Sequence, residues 1–275
     1  MKRFFFLVSF AALLYTGCGK DILPAADTVD SFVAEFAVEA RTGVTKALAD
    51  NDGSAACVDE CLVQIWMKTG SSYKLYSKPE VYADGDNGHY RFSATFIRNQ
   101  NYRILVWADK AGRYEFGDDA TVTRVSGAVN NSDDLDAFYA DVDIDASKAI
   151  TDRTIIVKRP FAQINVITTD LTAIPAEYVP ASIDIEYSAP LSMNLLSQEL
   201  GADQTISIRN SPVYYRSTTG IATESTLSMD YIFAPEDREI KDFKFCIAYT
   251  EPVERNFTNI PIQRGYRTNI RGRLL

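Results

Sequence analysis

The chain has 275 residues, of which 46% are hydrophobic and 24% charged, a balance that excludes wholesale disorder and low-complexity fibre. Its formal charge of −9 disfavours a nucleic-acid partner, which requires a basic footprint. A single histidine, His89, excludes any site needing two imidazoles and any Ser-His-Asp or Cys-His centre built elsewhere, so composition leans away from enzymatic activity.

The chain opens as an address. Met1-Lys2-Arg3 is basic, Phe4 to Leu14 is an uncharged apolar run, and Tyr15-Thr16-Gly17-Cys18 follows. That run is short of the ~20 apolar residues a permanent span needs, and the layout is that of a signal peptide over residues 1–17. Small Thr16 and Gly17 before Cys18 point to lipoprotein processing, with Cys18 as the acylated residue; plain secretory cleavage near Gly17 is the alternative. Two or three acyl chains anchor stably, since each buried CH₂ contributes ~0.8 kcal/mol. Loss of Lys2 and Arg3 with the leader takes the formal charge from −9 to −11. Residues 18–28 read as a polar, acidic tether, and Asp27-Thr28-Val29 has the acidic-Thr-aliphatic form of an O-glycosylation acceptor at Thr28.

Beyond the tether the pattern is all-β. Ser31 to Ala40 alternates, with Phe32, Ala34, Phe36 and Val38 on one side, as in a half-buried strand. Arg41 to Ala56 is small, polar and turn-rich. Leu62 to Met67 and Tyr73 to Tyr76 form a strand pair joined through Thr69-Gly70-Ser71-Ser72. Asp84 to Gly88 is a turn cluster; its spacing does not fit a calcium loop. His89 to Ile97 and Tyr102 to Ala108 make a long hairpin. Gly112 to Asp134 reads as loop. The acidic stretch from Asp133 to Asp145 reads as a solvated face rather than a cation site.

Thr154 to Val166 is a strand pair or bent strand, with Pro160 marking a bulge, an edge or a crossing point. Pro175 and Pro180 mark a turn. Further strands are expected at Ser182–Tyr187, Gln204–Arg209, Thr226–Phe233, Ile240–Tyr249, Phe257–Ile262 and Tyr266–Leu274. No helical periodicity is sustained. Regularly spaced strands argue for sandwiches, and length argues for ~2 domains, 29–150 and 151–275.

Four cysteines are present. With Cys18 assigned to lipid, Cys57 and Cys61 could pair in a tight turn but not along a strand. They make a poor zinc site without histidines, so no metal and no cofactor is expected. Cys246, in Phe243-Lys244-Phe245-Cys246-Ile247, reads as a buried small hydrophobe. Tyr102, Trp107, Tyr114, Tyr139, Tyr214 and Tyr215 are either a glycan-stacking surface or sandwich core.

Several segments resemble one family. Tyr102-Arg103-Ile104-Leu105-Val106-Trp107-Ala108-Asp109 resembles the strand ending Trp-Ala-Asp in fimbrillin-like proteins of the Bacteroidetes, and Asp136-Ala137-Phe138-Tyr139 the element after it. Lys158 to Ile164 resembles the strand opening the family's second domain. Tyr231 to Asp237 and Asn259 to Ile270 complete the series in the family's order.

The resemblance implies two tandem transthyretin-like Greek-key β-sandwich domains in a minor or anchoring fimbrial lipoprotein of the outer membrane. Its partners would be other fimbrial subunits, joined by a donated strand. In polymerising members a trypsin-like protease cuts after an Arg in the loop following the first strand, and a partner's strand fills the groove. The matching position is Arg41. Uncut, Arg41 is a loop residue, as expected of an anchor that keeps its lipid. Relatives continue with β-sequence after the Tyr-Arg-Thr-Asn-Ile strand, whereas this sequence stops at Leu275; either the product is short or a partner supplies the final strand. A glycan-binding module of an uptake system is the competing reading.

Overall fold

The computed structural model describes residues 30–40, 58–85, 88–125, 133–151, 153–170, 180, 182–210, 216–217, 220–221, 224–234, 238–247 and 252–275. These are strands and their connections, with one 3-10 turn at Asp133–Leu135. The first ten strands are β1 (Ser31–Ala40), β2 (Glu60–Thr69), β3 (Ser72–Ser77), β4 (Val81–Ala83), β5 (His89–Ile97), β6 (Asn101–Asp109), β7 (Tyr114–Phe116), β8 (Thr121–Arg124), β9 (Phe138–Asp145) and β10 (Thr154–Val157). The rest are β11 (Phe161–Thr168), β12 (Ile183–Pro190), β13 (Ser192–Asn194), β14 (Asp203–Asn210), β15 (Arg216–Ser217), β16 (Gly220–Ile221), β17 (Ser225–Phe233), β18 (Arg238–Ile247), β19 (Val253–Ile262) and β20 (Arg267–Gly272).

The strands assemble in two rounds of one plan. Sheet I has the order β10-β1-β5-β4, and sheet II the order β3-β2-β6-β9. Sheet III is β17-β11-β20, and sheet IV is β14-β12-β18-β19. In sheet I, β1 lies antiparallel to β5 and parallel to β10. In sheet III, β11 lies antiparallel to β17 and parallel to β20. Sheets II and IV are antiparallel throughout. Among the described residues, β15 and β16 pair only with each other.

Period-2 alternation builds the cores. Tyr90, Phe92, Ala94 and Phe96 of β5 and Tyr102, Ile104, Val106 and Ala108 of β6 meet in the first core, between sheets I and II. Tyr102 donates its hydroxyl to Ile97 O and accepts from Ile97 N (3.5 and 2.9 Å), so the buried phenol is satisfied at the hairpin end. Gly70 takes the left-handed conformation (φ 65°) that the tight β2–β3 connection needs. Ile164, Ile185, Phe243, Phe245 and Ile260 are among the residues filling the second core, between sheets III and IV.

A third core joins the halves. Trp66, Leu105, Trp107 and Tyr139, on the outer face of sheet II, pack against Phe161, Tyr231 and Phe233 of sheet III. Sheet V, with the order β13-β8-β7, takes strands from both halves, with Met193 opposite Val122. The segment expected as loop from Gly112 to Asp134 therefore holds β7 and β8. Strands of three and four residues are too short to show periodicity, and their pairing partner lies far away in sequence.

β10 also needs its partner to be placed. The domain boundary drawn at 150/151 puts Thr154–Val157 with the second half, yet β10 pairs with β1 of the first. The chain crosses at Lys158-Arg159-Pro160. Lys158 exchanges backbone hydrogen bonds with Tyr139 (2.9 Å each way), and Phe161 then opens sheet III. Proline has no N–H to give a ladder, which suits the crossing point.

Candidate functional site

The feature with the clearest functional geometry is the slot in which β1 sits. β1 is an interior strand of sheet I, and residues 41–57, which follow it, lie outside the described residues. On one side its register with β5 runs from Ser31↔Ile97 to Glu39↔His89. On the other it runs from Ala37↔Thr154 to Ala40↔Val157 against β10. Ala37 N donates to Arg153 O (2.8 Å) and Ala40 N to Gly88 O (2.9 Å), which further ties the C-terminal part of the strand.

Alternation decides what β1 fills. Ala34, Phe36 and Val38 point inward and are 1–2% exposed, while Val33 points outward at 65%. Phe36 stacks on Phe92 (centroids 5.0 Å, interplanar 12°) and meets Phe96 edge-on at 6.0 Å. Arg98 lies 5.1 Å over the Phe32 ring. The walls, Phe92, Ala94, Phe96, Ile155 and Val157, are apolar. The slot holds an extended peptide by a nine-residue ladder to β5, a four-residue ladder to β10 and alternate apolar side chains.

The sequence-predicted residues fall in three places. Cys18, Thr28, Arg41 and Cys57 lie outside the described residues, as do Tyr214 and Tyr215. Cys61 is buried on β2; burial, with Asp109 and Glu60 nearby, pushes its thiol up to about 12, which disfavours the reactive thiolate. His89 opens β5 and is exposed.

The remaining aromatics correct one of the two readings left open. Tyr102, Trp107, Tyr114 and Tyr139 are all buried, in the first and third cores, so these four form no glycan-stacking surface. Trp107 is wedged against Tyr114, Phe161 and Phe233 with centroids 5.1–6.2 Å away. Cys246 is another correction. Phe243, Phe245 and Ile247 face the second core, so Cys246, one residue out of phase, sits half-buried on the outer face of sheet IV.

The acidic stretch is not wholly a solvated face either. Asp136 is buried and accepts from Arg159 Nε at 2.7 Å and Nη2 at 2.5 Å. The guanidinium also covers Phe138 at 4.9 Å. A second buried pair, Arg124 with Asp230 (3.1 Å), crosses the junction, and Tyr187 donates its hydroxyl to Asp230. Arg264 Nη1 donates to the Tyr139 hydroxyl at 2.8 Å and Arg264 Nε to Ala234 O at 2.9 Å. No local motif announces such pairs, whose members are up to 125 positions apart.

Asp109, ending the Trp-Ala-Asp segment, has both carboxylate oxygens buried, beside the Trp107 indole N–H and the Tyr114 backbone N–H. Burial, then the charge of Glu60 across the β2–β6 ladder, pushes its pKa up to about 8. Among the described residues, no group of three His, Cys, Asp or Glu side chains is placed to hold a metal ion.

A family model described as "Family of unknown function (DUF6562)" matches residues 28–275, and the chain belongs to that family. No curated protein matches the sequence. Three solved structures share the fold. A candidate adhesin from Bacteroides ovatus is 14% identical, with a TM-score of 0.53 over 87% of this chain and 89% of that one. A candidate adhesin from Bacteroides thetaiotaomicron is 11% identical, with a TM-score of 0.51 over 85% and 82%. A structure from the same species described as candidate polysaccharide-binding proteins is 14% identical, with a TM-score of 0.51 over 86% and 89%. At such identities the likeness is one of fold.

Proposed function

We propose that this chain is a cell-surface lipoprotein, anchored in the outer membrane through Cys18, that serves as a structural or adhesive subunit of fimbriae, as accessory or anchor, and carries no enzymatic activity. Its two halves are tandem transthyretin-like Greek-key β-sandwich domains, and it joins other fimbrial subunits by β-strand exchange. The observation that carries this reading is the β1 slot. The first strand of the fold is an interior strand, laddered to β5 along Ser31–Glu39 and to β10 over Ala37–Ala40, and Arg41 follows it directly. A strand so placed can be replaced by another of the same pattern, because sheet edges bind any chain that satisfies their N–H and C=O groups. The two candidate adhesins of like fold support a surface role.

Cleavage after Arg41 would remove β1 together with the lipid at Cys18. An anchor keeps that bond intact and its slot filled; a polymerising subunit loses both. Intact-mass measurement of the protein extracted from native membranes separates these states. A lipidated chain beginning at Cys18 marks the anchor, and a chain beginning at Thr42 marks the exchanging subunit. A chain without lipid that still retains β1 would overturn the proposal.

The described polysaccharide-binding proteins of like fold favour a second reading, a glycan-binding surface module. Its platform would lie outside Tyr102, Trp107, Tyr114 and Tyr139, all of which are core. Saturable binding on a polysaccharide panel, lost on substitution of an exposed aromatic such as Tyr82 or Tyr266, would establish it.

A further inference from the structure

Sheets II and IV repeat one strand plan, and sheet II departs from it at one edge. In the second half, β14 covers β12 along all its residues, from Ile183↔Asn210 to Pro190↔Asp203. In the first half, β3 covers the equivalent strand β2 only between Ile65 and Thr69, with a register shift between Ile65 and Trp66. The chain then leaves sheet II after Ser77, and Pro79, which has no N–H, leads it to β4 in sheet I. Glu60 to Gln64 are laddered to β6 on one side, and among the described residues no strand pairs with them on the other. At ~3.3 Å per residue this uncovered edge is roughly 16 Å long.

Beside the edge lies a cleft of about 440 Å³, between residues 59–64 and the Lys78–Ala83 segment. That volume is in the range of ordinary ligand sites. Cys61, Tyr90 and Phe116 give it apolar lining, and Asp59, Glu60 and Glu80 give it negative charge. Its one cation, Lys78, is paired with Asp118.

We propose that this cleft is a docking site for an extended peptide segment bearing basic side chains, which adds as a strand to the uncovered edge of β2. The backbone edge supplies the ladder, and the carboxylates select for Lys or Arg. Glu60 shares the lining with Asp59 and Glu80, so a cation seated at this edge faces three carboxylates. The site is separate from the β1 slot, which lies between β5 and β10, so either can fail without the other.

The test uses the full-length chain and two fluorescein-labelled hexapeptides, one alternating lysine and valine, the other glutamate and valine. Fluorescence anisotropy should show saturable binding of the lysine peptide, at least tenfold tighter than the glutamate peptide. Glu80→Lys, on an exposed side chain, and the Glu60→Lys/Glu80→Lys pair should each weaken it, the pair at least tenfold, with unchanged circular dichroism. Deuterium exchange should slow at residues 60–64 when the lysine peptide is bound. Equal affinity for both peptides, unchanged affinity in the folded double variant, or protection confined to other strands would overturn the proposal.

Discussion

At the scale of single residues, the buried charges make the sharpest predictions. Asp109 has a pKa of about 8 in the folded chain, against ~3.9 when unfolded. The folded state therefore holds its proton more tightly, and the stability tied to that proton is fully present below about pH 4. It is lost as pH rises through about 8. Asp109→Asn should remove this slope. Urea unfolding at pH 5 and pH 9 is expected to show the variant gaining on the parent by on the order of 1–3 kcal/mol at the higher pH. Equal shifts at both pH values would mean that Asp109 is not the titrating group.

Asp136 is buried against Arg159, and removing it leaves a guanidinium that is only 12% exposed without its carboxylate. Asp136→Ala should cost about 3–5 kcal/mol, read as a drop in the urea midpoint. A substitution as mild as those at exposed ion pairs, typically under ~1 kcal/mol, would contradict the buried geometry.

At the scale of elements, β1 is seated by its inward face. Phe36→Ala deletes a ring that stacks on Phe92 and meets Phe96 edge-on, and should cost about 3–5 kcal/mol. Val33→Ser, on the outward face, should stay within about 0.5 kcal/mol. Chemical denaturation of the two variants side by side checks the contrast, and equal costs would mean that β1 is not held by side-chain burial. The alternation of Phe32, Ala34, Phe36 and Val38 made this strand and its buried face legible from the amino acids alone. The same alternation, followed strictly, would have placed Cys246 outward; the apolar neighbours Phe245 and Ile247 obscured it. β7, β8 and β13 were illegible because each is three or four residues long and is stabilised by a partner strand rather than by its own pattern.

At the scale of the whole molecule, the halves share the third core and sheet V, so neither presents a finished surface alone. Full-length protein should unfold in one cooperative urea transition reported alike by tryptophan fluorescence and far-UV circular dichroism. A fragment of residues 158–275 would expose Phe161, Tyr231 and Phe233, and should bind ANS where the full chain does not. Two separated transitions, or a fragment that stays compact and ANS-silent, would show that the junction contributes little.

The amino-acid sequence by itself determined the all-β character and most strands of six residues or more. Each of these is written in local composition or in a period of two. Tertiary structure decided the rest: that β10 belongs beside β1, that Trp107 and Tyr139 are junction core rather than exposed platform, that Asp136 and Asp230 are buried in ion pairs, and that among the described residues no strand covers half of β2 opposite β6. Those outcomes depend on which distant strands meet, and the pleat that specifies a strand's two faces carries no record of what will cover them.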